Sequence, residues 1–239
     1  MLYDSGLYKE AIKTSFKISK KAWAYPGCPR LVGLCLFKLG EYHSAIDIFN
    51  VGLKENPTST IFFRDRAEVN MALGQFQNAI SDYNRYLKEH PGDEFSIMET
   101  ARALVEIDEP DSAMKLLTDH EFPYSSIYTV VGVHYWSVRQ DRENALKAWK
   151  ISIDLDSTNV SSYSMMGFME WQSGEIDRAF QAFEALIKNN PENAEGYYLL
   201  GLLQEEQGFE EDAAENYRIA REKGYVENDD EEAFLDEDY

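Results

Sequence analysis

From Gly167 to Pro191 the chain reads GFMEWQSGEIDRAFQAFEALIKNNP, in which small and aromatic apolar positions alternate with polar ones at helical spacing on either side of a central glycine. Each landmark has a mechanical task. Gly167 and Ala179 let two antiparallel helices approach closely, Gly174 ends the first helix, Phe183 fills the space between neighbouring hairpins and Pro191 stops the second helix. The pattern predicts a helix-turn-helix hairpin, and its landmarks recur through most of the chain.

The first whole hairpin is expected from about Gly27 to Pro57, with Gly33, Gly40, Ala45 and Phe49 on the landmarks; the second carries Ala67, Gly74, Ala79, Tyr83 and Pro91. Pro57 and Pro91 stand one period of roughly 34 residues apart. In the third, Ala101 and Ala113 keep the spacing, but Asp108 replaces the turn glycine, Pro110 opens the second helix early and LLTDHEFPYSS is short. A truncated second helix and an irregularity between Asp119 and Ser126 are therefore expected. The fourth, from about Tyr124 to Asp156, has Gly132, Ala145 and Trp149, with one extra residue in the turn SVRQDREN. The sixth supplies Tyr197, Gly201, Gly208, Ala213, Tyr217 and Ala220. At the start of the chain Gly6, Tyr8 and Ala11 match Gly174, Ile176 and Ala179, so residues 1–22 read as a half repeat with one uncovered apolar face. That face is left either to an earlier part of a longer array or to self-association through the N-terminal helix.

With these residues in place the chain resembles the tetratricopeptide repeat (TPR) family, whose motif runs W-x2-L-G-x2-Y, then A-x3-F, then P. Here it appears as Tyr197, Leu200 and Gly201 followed by Ala213 and Tyr217, and as Tyr163, Met166 and Gly167 followed by Ala179, Phe183 and Pro191. The resemblance implies an all-α fold: a right-handed superhelical TPR solenoid of about six helix-turn-helix repeats plus an N-terminal half repeat, with first helices lining a concave groove. Some relatives clamp the C-terminal carboxylate of chaperones with groove-facing Lys, Asn and Arg. The corresponding positions here offer Arg30 and Leu34, then Arg64, Asp65 and Glu68, then Phe95 and Glu99. The Lys/Asn set is missing, so that activity is not carried over.

Composition and charge narrow the function classes. Apolar residues make up 44% of the chain, enough for a folded core. The 43 acidic against 23 basic residues give a formal net charge of -20, which disfavours direct nucleic-acid binding because phosphate contacts need a basic footprint. Residues 226–239 are an acidic tail, read as disordered or as a short cap in which Phe234 and Leu235 dock. By contrast Lys9, Lys13, Lys17 and Lys20 form a basic stripe near the start. Cys28 and Cys35 are seven apart, about 10 Å along a helix, and are read as reduced core thiols. No apolar run is long enough for membrane insertion and no signal peptide is evident, so a cytoplasmic or otherwise intracellular location, the nucleus included, is expected.

Groove-facing positions are the first-helix residues that the structural motif leaves unused. In the first three hairpins they are charged, and two readings stand: mutual ion pairing, or a site for an acidic peptide on Arg30, Arg64 and Arg102. In the last three they are Val130, Val133 and Trp136, then Met165, Phe168 and Trp171, then Tyr198, Leu199 and Leu202. Such a surface is costly to leave in water, each large side chain forgoing roughly 1.5–3 kcal/mol of burial. It invites a partner helix or apolar peptide, unless tight coiling makes it interhelix core or the tail's Phe234 and Leu235 fill it. His43, His90, His120 and His134 are isolated, and no phosphate loop, nucleophile elbow or metal spacing occurs. Neither catalysis nor a cofactor is expected. With 1–22 as half repeat, 23–225 as solenoid and 226–239 as tail, the chain reads as a non-catalytic scaffold or adaptor, part of a larger protein or complex, that holds a partner in its groove. The alternative is an acidic chaperone or escort that shields a basic client.

Overall fold

The structure, a computed structural model, describes residues 7–16 and 26–226, and every described element is an α-helix. Among the described residues a single helix α1 (Tyr8–Phe16) precedes six hairpins. The first three pair α2 (Gly27–Lys38) with α3 (Tyr42–Glu55), α4 (Ile61–Ala72) with α5 (Phe76–Leu87), and α6 (Glu94–Glu106) with α7 (Pro110–Asp119). The others pair α8 (Ser125–Ser137) with α9 (Arg142–Leu155), α10 (Val160–Gln172) with α11 (Ile176–Asn189), and α12 (Ala194–Glu206) with α13 (Glu210–Glu222). The chain forms two compact units that meet in sequence at Phe122 and Pro123. That break falls in the irregular stretch the sequence places after the short α7.

First and second helices bury themselves differently. The second helix α11 hides Ala179, Ala182, Phe183 and Leu186, one stripe at i, i+3, i+4 and i+7. The first helix α10 instead hides Ser162, Tyr163, Ser164, Gly167, Met169 and Glu170, because it packs against α8, α9, α11 and α12. One core in the C-terminal unit joins Tyr163, Phe183, Leu186, Leu199, Leu200 and Leu203; in the N-terminal unit Val32, Leu36, Phe49, Phe62 and Val69 do the same. Ala11 is buried, and α1 packs on α2 as a half repeat should. Lys17, Lys20, Phe234 and Leu235 lie outside the described residues.

The turns repeat one hydrogen-bonding device. At Gly174 the backbone enters the left-handed region (φ 73°), which lets the Glu175 amide donate to the Glu170 carbonyl at 2.9 Å and close the helix end. The same five-residue return joins Glu41 to Leu36, Gln75 to Asn70 and Phe209 to Gln204. Asp108 adopts φ 60° where glycine is missing, and the Glu109 amide still reaches the Leu104 carbonyl at 2.8 Å. In the fourth hairpin Gln140 takes the positive φ, and the Asp141 amide reaches one residue further back, to Tyr135. The inserted residue is absorbed there without loss of the turn.

Candidate functional site

The C-terminal unit gathers its aromatic first-helix residues around the landmark rings. Phe168 and Trp171 lie one and four positions after Gly167, so they flank the gap that Phe183 fills from the second helix. Their rings stack with centroids 6.1 Å apart, and both stand edge-on to Phe183 at 6.0 and 6.4 Å. Trp136, four after Gly132, meets Trp149 edge-on at 6.1 Å. Tyr198 tilts against Tyr217 and stacks on Tyr225 at 4.1 Å. Trp171 donates its indole N–H to the Glu206 carboxylate. Trp136, Phe168, Trp171 and Tyr198, with Val133, Met165 and Leu202, are half-buried, whereas Phe183 and Trp149 behind them are fully buried; Val130 is 46% exposed. The expectation for Leu199 needs correction: it is 4% exposed and belongs to the core, because it lies on the side of α12 that meets the α11 hairpin. Beside Trp136 a cleft of about 430 Å³ opens among Ser137, Gln140, Arg142, Met169, Gln172 and Ser173.

The N-terminal unit is charged where the C-terminal one is aromatic, and its guanidinium groups are engaged. Arg30 makes a two-pronged contact with buried Asp65, at 2.6 and 3.1 Å. Arg64 lies 3.9 Å from both Glu68 and Asp93 and sits over the Phe95 ring, 4.9 Å from its centroid. Arg102 holds Glu99 at 2.8 Å. The three arginines of the acidic-peptide reading thus each face a carboxylate of their own unit, and an acidic ligand would have to displace it. Burial raises the carboxyl pKa of Asp65 despite Arg30, and burial followed by repulsion from Asp65 raises that of Glu68.

Two features escaped the landmark reading. A hydroxyl cluster ties α8, α9 and α10 together: Thr129 Oγ1 lies 3.0 Å from Ser152 Oγ and 2.8 Å from Ser162 Oγ, while Asn159 donates to Ser125 and Thr129. Its only signal in sequence is small polar residues at positions facing the core. The second is Tyr83, whose ring is a landmark but whose hydroxyl has a chemistry of its own. Cys35 is buried as expected, whereas Cys28 is only half-buried because it stands on the first turn of α2. Both are free thiols, and burial raises the pKa of each. Among the described residues no group of three or more His, Cys, Asp or Glu is placed to hold a metal ion, and no helix is long and apolar enough to cross a membrane.

A family model described as tetratricopeptide repeat matches residues 33–94 and 170–227, half of the chain. The chain belongs to the tetratricopeptide repeat family. Its repeats are those of a class that generally serves as non-catalytic protein–protein interaction modules, and the all-α solenoid seen here is that of the family. The fold is similar to the C-terminal part of a TPR repeat-containing protein from Cytophaga hutchinsonii (TM-score 0.69, 16% identity, covering 94% of this chain and 97% of that one). It is also similar to MamA from Desulfovibrio magneticus RS-1, residues 41 to the end (TM-score 0.56, 16% identity, 70% and 95% covered). A third likeness is to a structure of Naa15/Naa10 bound to HypK-THB (TM-score 0.58, 19% identity), which covers 85% of this chain and 32% of that one. A comparison with curated proteins gives no match.

Proposed function

We propose that the protein is a scaffold or adaptor that holds an amphipathic helix or apolar peptide of a partner against the first-helix face of its C-terminal unit. The observation that carries this reading is the half-buried set Trp136, Phe168, Trp171 and Tyr198, each ring anchored edge-on or stacked against an aromatic behind it. Rings fixed by their neighbours lose little freedom on binding, and Trp and Tyr with such support are favoured in interface hot spots. The open cleft beside Trp136 gives an anchoring side chain of the partner a place to enter. In this reading residues 1–22 are a half repeat, 23–225 the solenoid, and 226–239 an acidic tail that is not needed for the contact.

The test is capture of the partner on the full chain, followed by affinity measurement with Trp136→Ala/Trp171→Ala and with Val130→Glu. Hot-spot truncation costs about 2 kcal/mol or more per residue, so the double variant should weaken binding at least 100-fold. Val130→Glu serves as the companion because it puts a charge on an exposed position without opening the core. Affinity should persist at high salt. Full affinity in both variants, with helicity unchanged by circular dichroism, would show that the partner binds elsewhere.

A further inference from the structure

A cleft of about 480 Å³ lies in the N-terminal unit, walled by α2, α4, α5 and α6. Phe37, Met71, Phe76 and Phe95 supply apolar sides, and Glu68, Glu99 and Glu106 supply carboxylates. The one cation among its lining residues, Arg102, is held by Glu99 at 2.8 Å. Tyr83 also lines this cleft, with a side chain that is 0% exposed and a hydroxyl that makes no hydrogen bond. Leaving such a group unpartnered is unfavourable, since a buried hydroxyl loses its water without replacement.

The other hairpins show how unusual this is. At the same landmark Phe49 and Phe183 carry no polar atom, Trp149 donates its N–H to the Thr129 carbonyl at 3.2 Å, and Tyr217 donates to Glu205 at 2.6 Å. For Tyr83, burial first and then the charges of Glu68 and Glu99 hold the phenol pKa well above the ordinary value. Its hydroxyl therefore stays protonated, and the lone pairs of its oxygen are open to a donor in an acidic, desolvated recess.

We propose that this cleft binds a lysine or arginine side chain of a partner protein, its charged head donating to the Glu68 carboxylate and the Tyr83 hydroxyl and its aliphatic stem lying along Phe37, Met71 and Phe95. A negative ligand is disfavoured by the carboxylates, and a purely apolar one leaves the Tyr83 hydroxyl without a partner. Aromatic walls suit a cation, whose charge is attracted to ring faces. A net charge of -20 also draws basic partners toward the chain. Glu68 faces Asp65 as well as Arg64, Lys38 and Arg30, and burial with Asp65 outweighs those cations in raising its pKa, so an arriving positive charge relieves an existing repulsion. This site is distinct from the aromatic face of the C-terminal unit, and each can fail without the other.

The experiment is an amide-NMR titration of the full chain with short, end-blocked glycine peptides carrying a single central lysine, arginine, norleucine or glutamate. The lysine and arginine peptides should shift and saturate resonances of α4 and α6, and the norleucine and glutamate peptides should not. Hydrogen bonds to a charged group are worth enough that Tyr83→Phe and Glu68→Gln should each weaken lysine-peptide binding about 10-fold. Tyr83→Phe should not lower the melting temperature, because it removes a polar atom that has no partner in the unbound chain. Trp136→Ala should leave this binding unchanged. Equal response to norleucine and lysine, no response to any peptide, or unaltered lysine affinity in both cleft variants would overturn the proposal.

Discussion

A methyl built on Gly167 would stand 2.3 Å from Cε1 of the Phe183 ring, well inside van der Waals contact. The same relation joins Gly33 to Phe49 and Gly132 to Trp149, at 2.2 and 2.4 Å. The glycine is thus required less by the approach of two backbones than by one ring that lies over a bare Cα. Gly167→Ala should gain about 1 kcal/mol in helix propensity but lose about 1–3 kcal/mol to overpacking, a net loss measurable by urea denaturation. In a Phe183→Leu background the overpacking loss should largely vanish, which a double-mutant cycle would read directly. A penalty that persists unchanged would place the clash elsewhere. Phe168 and Trp171 pack on the same ring, so the residue that builds the hairpin also supports the proposed binding face.

At the scale of elements, helix starts and stops are local chemistry. Asn193 accepts the Gly196 amide at 2.8 Å at the start of α12, and Asn159 and Asp93 do the same for α10 and α6. Asn193→Ala should cost about 1 kcal/mol, and Asn193→Asp should retain most of that, as measured by denaturation midpoints. Such signals explain why all six hairpins, the short α7 and the stretch after it were legible in the sequence: a turn glycine, a proline or an Asx cap acts within a few residues of itself. The face of each first helix was less legible. Leu199 sits between Tyr198 and Leu200 in an apolar run, and which of them turns outward depends on how the neighbouring hairpin packs. The arginine pairs illustrate the same limit. Opposite charges on α2 and α4 suggested pairing, but that Asp65 would be buried beneath Arg30 follows from the helix contact itself. Tyr83 was legible as a ring and illegible as a hydroxyl, because an aromatic landmark is satisfied by packing whether or not it carries oxygen.

Taken as a whole molecule, the chain separates two chemistries: an acidic, arginine-laced face in its N-terminal unit and an aromatic one in its C-terminal unit. Salt should act on them differently, since exposed charges are screened over about 10 Å at ordinary ionic strength while apolar contacts are not. The central claim is that a protein partner occupies the aromatic face, and methyl-labelled NMR of the complex reads it most directly. Methyl resonances of Val130, Val133, Met165 and Leu202 should shift on binding, while those of Val51 and Leu155, exposed on the second helices α3 and α9, should stay in place. Shifts confined to Val51 and Leu155, with the four first-helix methyls unmoved, would contradict the account.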